Sequence, residues 1–112
     1  MSGTAVDKEK FKERVRLWAD KLEARVTSVS VRPMKTKWAS YSTAGRLTFD
    51  SSLPELREAL QDYVIVHELL HEKVPNHGKL WKSLMRVHLG SYEEYEQELR
   101  KKAAEKGLQQ AR

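Results

Sequence analysis

The sequence has no cysteine, only three prolines and five glycines, and no long apolar run. The absence of cysteine excludes a disulfide framework, a thiol nucleophile and a cysteine-ligated zinc site. The longest apolar run, Val64–Val66, stops at His67, far short of the roughly 18 residues that a membrane span needs. Residues 1–7 also lack the basic and apolar stretches of a signal peptide. We therefore expect a cytoplasmic protein without a membrane anchor.

The chain is long enough for one domain. It has 112 residues, of which 39% are hydrophobic and 33% charged, and this balance is too apolar for a disordered chain. Twenty-one lysines and arginines oppose 16 aspartates and glutamates, which gives a net charge of +5. This excess allows contact with nucleic acid or acidic proteins but does not by itself predict it. We predict a single domain over residues 1–112, as a monomer or a dimer.

The first half of the chain changes from a helical to an alternating pattern. Residues 7–25 are predicted to form a helix, because apolar side chains recur there at helical spacing. Residues 28–32 then alternate with a period of two, which is typical of a strand. The segments 37–42 and 46–50 are predicted to form two further strands, joined by a turn at Ala44–Gly45. Together these strands predict a small three-stranded antiparallel sheet.

The second half reads as three helices. Ser52 and Glu55 have the spacing of a capping box, so a helix is predicted from there to about Lys73. A third helix fits His77–Leu89, and a fourth runs to about Lys106 after a second capping box. The element order α-β-β-β-α-α-α predicts an α+β fold.

All four histidines lie between positions 67 and 88, and three of them follow a recognisable spacing. His67 and His71 are four residues apart, so on a helix they share a face and can bind one metal ion. Glu68 lies one step around the helix, where it can reach a water bound to that metal. His77 follows after a proline that ends the helix, so the chain can turn back and supply a third imidazole.

Three imidazoles and a water make the open tetrahedral site of a catalytic zinc. Bound zinc lowers the pKa of its water, and Glu68 can then act as general base and general acid in peptide hydrolysis. The alternative is a helix with structural histidines. An ionisable cluster in so apolar a helix would be costly to bury without a metal, so we predict a Zn²⁺-dependent peptidase.

Three segments resemble a known family. The segments 63–71 and 75–81, with the upstream segment 34–40, resemble the YgjP-like zinc metallopeptidases and the related WLM group, and the match covers residues 29–92. The helix, three-stranded sheet and active-site helix also resemble the minigluzincins, minimal single-domain peptidases of the zincin type. The resemblance implies a zinc metallopeptidase that hydrolyses peptides or unfolded proteins. It also implies metal ligands His67, His71 and His77 and the general base/acid Glu68.

The sequence departs from relatives at two points. Tyr41 stands where many relatives have a cysteine, which we interpret as a packing change. In gluzincins the third ligand is a glutamate from a later helix, so Glu93, Glu94 or Glu96 remains an alternative to His77.

Other residues have both structural and functional interpretations. Trp38 and Trp81 are expected in the core, with Trp81 beneath the site, and His88 is expected to be structural rather than a fourth ligand. Tyr92 or Tyr95 could donate a hydrogen bond to the reaction intermediate, although packing is the simpler role. Three basic residues could line a substrate groove or only a solvated sheet face: Arg32, Lys35 and Lys37. The edge of the sheet is the natural place for an extended peptide to bind.

Two expectations concern regulation and an alternative function. Residues 100–112 contain one large apolar side chain, Leu108, and are expected to form either a flexible end or a segment that blocks the cleft. A self-blocking tail would make the full-length peptidase a latent zymogen, as the likeness to minigluzincins implies. The alternative function is a non-proteolytic zinc-binding module of the same fold that binds nucleic acid or a protein partner.

Overall fold

The order of helices and strands in the chain is the predicted one. A computed structural model describes residues 5–71, 73–74 and 78–106. Helix α1 (Ala5–Leu22) precedes three strands, β1 (Ser28–Arg32), β2 (Ala39–Tyr41) and β3 (Arg46–Asp50). A short 3-10 helix (Leu53–Glu55) then leads to three helices: α2 (Glu58–Leu70), α3 (Lys79–Leu89) and α4 (Glu93–Lys106). The α+β class is confirmed. In the described part of the chain, no helix is long and apolar enough to cross a membrane.

Helix α1 ends three residues before the predicted boundary because of a left-handed residue. Glu23 has φ 54°, and its N–H donates to the carbonyl of Asp20 over 3.2 Å. The N–H of Ala24 donates to Ala19 over 2.9 Å. These two bonds form a Schellman motif, in which glycine normally occupies the left-handed position. A glutamate gives no such signal in the sequence, so the helix end was not predicted.

The sheet is mixed, and the prediction of an entirely antiparallel sheet was wrong. Strands β2 and β3 form the predicted antiparallel hairpin, with Gly45 in its turn at φ 84°. However, β1 pairs with β3 in parallel, and the strand order is β1-β3-β2. Residues 33–38 do not form a tight turn. They carry the chain across the end of the sheet to β2, so that β3 occupies the position beside β1.

The crossover is held by the buried carboxylate of Asp50, which is 3% exposed. One carboxylate oxygen accepts the N–H of Met34 over 2.9 Å. The other accepts the N–H of Ser52 over 3.1 Å and its hydroxyl. The Ser52 hydroxyl is therefore used by Asp50, and the predicted capping box with Glu55 does not form. After the 3-10 helix the backbone is extended at two residues, so α2 begins only at Glu58, later than predicted.

Helix α2 lies at the centre of the core. Ten of its 13 residues are buried, and it packs against α1, β2, α3 and α4. Strand β3 contributes Leu47 and Phe49 to the same core. The ring of Phe49 meets Phe11 of α1 edge to face, with centroids 4.9 Å apart. The far end of α4 also docks here through Leu99 and Ala103, both nearly inaccessible to solvent.

Replacement of Asp50 should destabilise the fold. In Asp50→Asn the single amide oxygen cannot accept all the bonds that the carboxylate accepts, and we expect a loss of about 1–3 kcal/mol in the free energy of unfolding. Urea denaturation would measure it. The matched control is Ser30→Ala, on an exposed position of β1, which should change stability by less than about 0.5 kcal/mol. Equal stability of the two variants would contradict this role.

Candidate metal centre

Two histidines meet at the C-terminal end of α2. His67 lies in the last turn of the helix, and His71 is its C-terminal cap in a right-handed conformation. Just beyond the end of α2 the N–H groups of Lys73 and Val74 donate to the carbonyl of Leu70, and the backbone angles of His71 are close to helical. The two imidazole centroids are 4.8 Å apart and their planes are at 81°. The spacing predicted that the two rings would share a face, and they do.

Glu68 completes a compact group of donor atoms. One ligand atom from each of His67, Glu68 and His71 lies within 4.8 Å of the others. A Glu68 carboxylate oxygen is 3.4 Å from Nδ1 of His67. His67 and Glu68 are 6% and 7% exposed, whereas His71 is half-buried. The group is therefore shielded on the core side and accessible to solvent at His71.

The third predicted ligand, His77, lies outside the described residues. The glutamates that were its alternatives occupy other positions. Glu93 pairs with Arg86, and Glu94 is exposed. Among the residues that the structure describes, neither these two nor Glu96 belongs to the donor group.

Glu96 has partners of its own. Its carboxylate accepts a hydrogen bond of 3.1 Å from the hydroxyl of Tyr63 and lies 3.9 Å from the guanidinium of Arg100. Burial raises the pKa of Tyr63 far above its ordinary value, and the charge of Glu96 raises it further. The phenol therefore stays protonated and donates to Glu96.

An aromatic wall, made of Tyr63, Trp81 and Tyr92, backs the donor group. The ring centroids of Tyr63 and His67 are 5.7 Å apart. Tyr92 stacks on Tyr63, with ring centroids 6.3 Å apart. Trp81 of α3 is 2% exposed, as its predicted place in the core required. Sequence reasoning missed the role of Tyr63, although its position four residues before His67 places both side chains on one helix face.

Tyr92 is buried in the aromatic wall, and Tyr95 packs against a different residue. Tyr92 is 3% exposed, and burial raises the pKa of its phenol. Tyr95 lies beneath the guanidinium of Arg57, 5.4 Å away. Arg57 caps the opposite end of α2, ten residues or about 15 Å along the helix from His67. The cation–π partner of Tyr95 is therefore a residue at the other end of α2 from His67.

The remaining described candidates do not belong to the donor group. His88 meets Trp18 of α1 edge-on, with centroids 6.0 Å apart, and is not among the described donor group. Trp38 is 2% exposed, as predicted for a core residue. Arg32 and Lys35 are exposed, and Lys37 is half-buried, beside the crossover between β1 and β2.

His88 should titrate below its ordinary pKa. Burial lowers the pKa of His88 from 6.5, and the nearby Lys21 lowers it further. The folded state thus favours the neutral imidazole, so its stabilising contribution is present above pH 6.5 and is lost as the pH falls below that value. NMR titration of the imidazole would measure the shift. Lys21→Gln should raise the pKa without fully restoring it, whereas a parent pKa at or above 6.5 would contradict the packing described here.

Comparison with known proteins identifies the family. The profile of the YgjP-like metallopeptidase domain matches residues 5–102. The crystal structure of the metallopeptidase zymogen jannalysin of Methanocaldococcus jannaschii is similar, with a TM-score of 0.73 and 28% identity over 82% of this chain and 95% of that one. The metallopeptidase zymogen abylysin of Pyrococcus abyssi has a similar fold, with a TM-score of 0.70 and 23% identity over 90% of this chain and 99% of that one. No curated protein matches the sequence. Because the family profile extends from the start of α1 into α4, the protein belongs to the YgjP-like metallopeptidase family.

Proposed function

We propose that the protein is a zinc-dependent endopeptidase in which His67, His71 and His77 bind the metal and Glu68 is the general base and acid. The observation that carries this proposal is the donor group on α2, with ligand atoms within 4.8 Å of one another, in a chain of a metallopeptidase family. Imidazole nitrogens are preferred ligands of Zn²⁺, and three protein ligands leave a position open for chemistry. The donor set therefore fits a catalytic zinc ion.

The metal and Glu68 have separate tasks. Zinc bound there supplies Lewis acidity, which makes a water more acidic and polarises the carbonyl of the scissile bond. The Glu68 carboxylate accepts a proton from the attacking water and then delivers it to the leaving amine. The Glu68 carboxylate is buried and lies 3.4 Å from Nδ1 of His67, which supports this role.

The substrate is proposed to be an extended peptide or an unfolded protein bound along β2. This strand is at one edge of the sheet and packs against α2, the helix of the donor group. Hydrogen bonds join Trp38 to Asp50 and Ser42 to Arg46. Because bonded pairs alternate along antiparallel strands, the backbone groups of Tyr41, which is half-buried, point away from β3. A peptide that adds there as a strand is bound mainly through its backbone.

We further propose that the chain is latent, and that the segment after α4 blocks the cleft. Jannalysin is described as a zymogen, and a tethered segment reaches a nearby cleft at high effective concentration. Helix α4 continues to Lys106, with Ala103 in the core. A blocking segment would therefore begin after Lys106, later than the sequence pattern suggested.

Loss of any one of the three histidines should remove the metal. The purified protein should bind about one zinc ion per chain, and His67→Ala, His71→Ala and His77→Ala should each lose most of it. Metal content by elemental analysis would measure this. Glu96→Gln is the matched control, because its carboxylate is engaged by Tyr63. Full zinc occupancy in His77→Ala, together with loss in Glu96→Gln, would contradict the ligand set.

Glu68→Gln should separate metal binding from catalysis. The amide keeps the size of the carboxylate but cannot accept the proton, so turnover should fall by ~10²-fold or more while zinc content stays at the parental level. Cleavage of a quenched fluorescent peptide, with and without a chelator, would measure this. Unchanged turnover would exclude the general-base role, and loss of zinc would make Glu68 a ligand.

Removal of the segment after α4 should relieve latency. A chain that ends at Lys106 keeps the docked Ala103, so it should remain folded while kcat/KM on the same peptide rises severalfold. Both proteins should be compared at equal zinc content, with circular dichroism as the control for folding. Equal activity of the full and shortened chains would show that the segment does not block the cleft.

A further inference from the structure

Trp81 contacts both histidines of the donor group with a single indole. The ring of His67 meets it edge-on, with centroids 5.3 Å apart and planes at 85°. The ring of His71 stacks on it, at 6.4 Å and 24°. Because the two imidazoles are themselves nearly perpendicular, one flat side chain fits both of their orientations.

These contacts restrict the rotation that decides whether the two imidazoles can bind one ion. The torsion that turns a histidine ring is broad and has no sharp intrinsic preference. Two imidazoles on one helix face therefore point their nitrogens at a common position only when neighbouring side chains fix both rings. Tyr63 contacts His67, whereas Trp81 contacts both histidines.

The indole of Trp81 is in turn packed against Tyr92, which contacts Arg86. Tyr92 meets Trp81 edge-on, with centroids 5.9 Å apart, and the guanidinium of Arg86 lies 5.4 Å from the Tyr92 ring. Both Trp81 and the neighbouring Met85 are buried on α3. The orientation of the two histidines on α2 is thus tied to the docking of α3.

We propose that Trp81 is a positioning residue that sets the metal affinity of the site by fixing the two imidazoles before the metal binds. The inference rests on the proposed function, since it takes His67 and His71 as metal ligands. It adds a residue that donates no ligand atom and contacts the donors through its ring. Replacing outer residues that orient metal ligands by hydrogen bonds typically changes metal affinity by about 10–100-fold, and we expect a ring that orients two ligands to act in the same range.

The test compares Trp81 with a second tryptophan–histidine pair in the same chain. Trp18 meets His88 edge-on at 6.0 Å and 89°, away from the donor group, so Trp18→Leu and Trp18→Phe are matched controls. Zinc dissociation constants would be measured by competition with a chromophoric chelator. Absorption spectra of the Co²⁺-substituted proteins would report ligand geometry, and thermal unfolding of the metal-free proteins would report stability.

Trp81→Leu should weaken zinc binding by about 10–100-fold and alter the Co²⁺ spectrum. Trp81→Phe should recover part of the affinity, because a smaller flat ring still packs against the imidazoles. The Trp18 variants should keep the parental affinity and spectrum even where their thermal stability falls. Parental zinc affinity in Trp81→Leu would overturn the inference. If the leucine variant does not fold, parental affinity in Trp81→Phe would do so. An equal loss of affinity in the Trp18 variants would also overturn it.

The outcome for the parent protein separates the inference from the proposed function. If the parent protein binds zinc and cleaves peptide, and the Trp81 variants bind zinc with equal affinity, only the positioning role is overturned. A parent that binds no zinc overturns the proposed function, and the inference falls with it.

Discussion

The burial of α2 on all sides is the constraint on which the remaining structure depends. A helix that is apolar around most of its circumference must be enclosed, and here α1, β2, α3 and α4 all pack against it. The same helix carries His67 and Glu68, which are almost inaccessible to solvent. Burying such groups costs free energy unless they find partners. His67 and Glu68, both buried and ionisable, thus lie at one end of the most apolar helix.

The surroundings of this polar group are mostly aromatic, and this arrangement has an electrostatic effect. Rings of Tyr63 and Trp81 exclude water from one side of the cluster, and in a medium of low dielectric constant charges interact more strongly. Glu96, one of the alternative donors on α4, is occupied by Tyr63 and Arg100. The aromatic wall therefore both shields the donor group and keeps one more carboxylate away from it.

The sequence allowed most of the element order and the donor group on α2 to be predicted, because both depend on local periodicity. The spacing of His67 and His71 determines a shared helix face wherever the helix packs. The parallel pairing of β1 could not be predicted in this way, since it depends on a crossover held by Asp50 over long sequence distances. The end of α1 at Glu23 was missed because a glutamate there adopts a left-handed conformation that this residue type does not favour. The two-sided contact of Trp81 also depends on how α3 docks, which no local pattern encodes.

Strand β2 is only three residues long, and this brevity has a consequence for what the protein can capture. A short edge strand offers few backbone groups to a second copy of the chain, which protects against edge-to-edge aggregation. If a substrate adds to this strand as proposed, the same few backbone groups would supply too little free energy to pull a segment out of a folded protein. The conformational state of the substrate, rather than its sequence, would then decide what is cleaved, and selectivity would come from the local unfolding of other proteins.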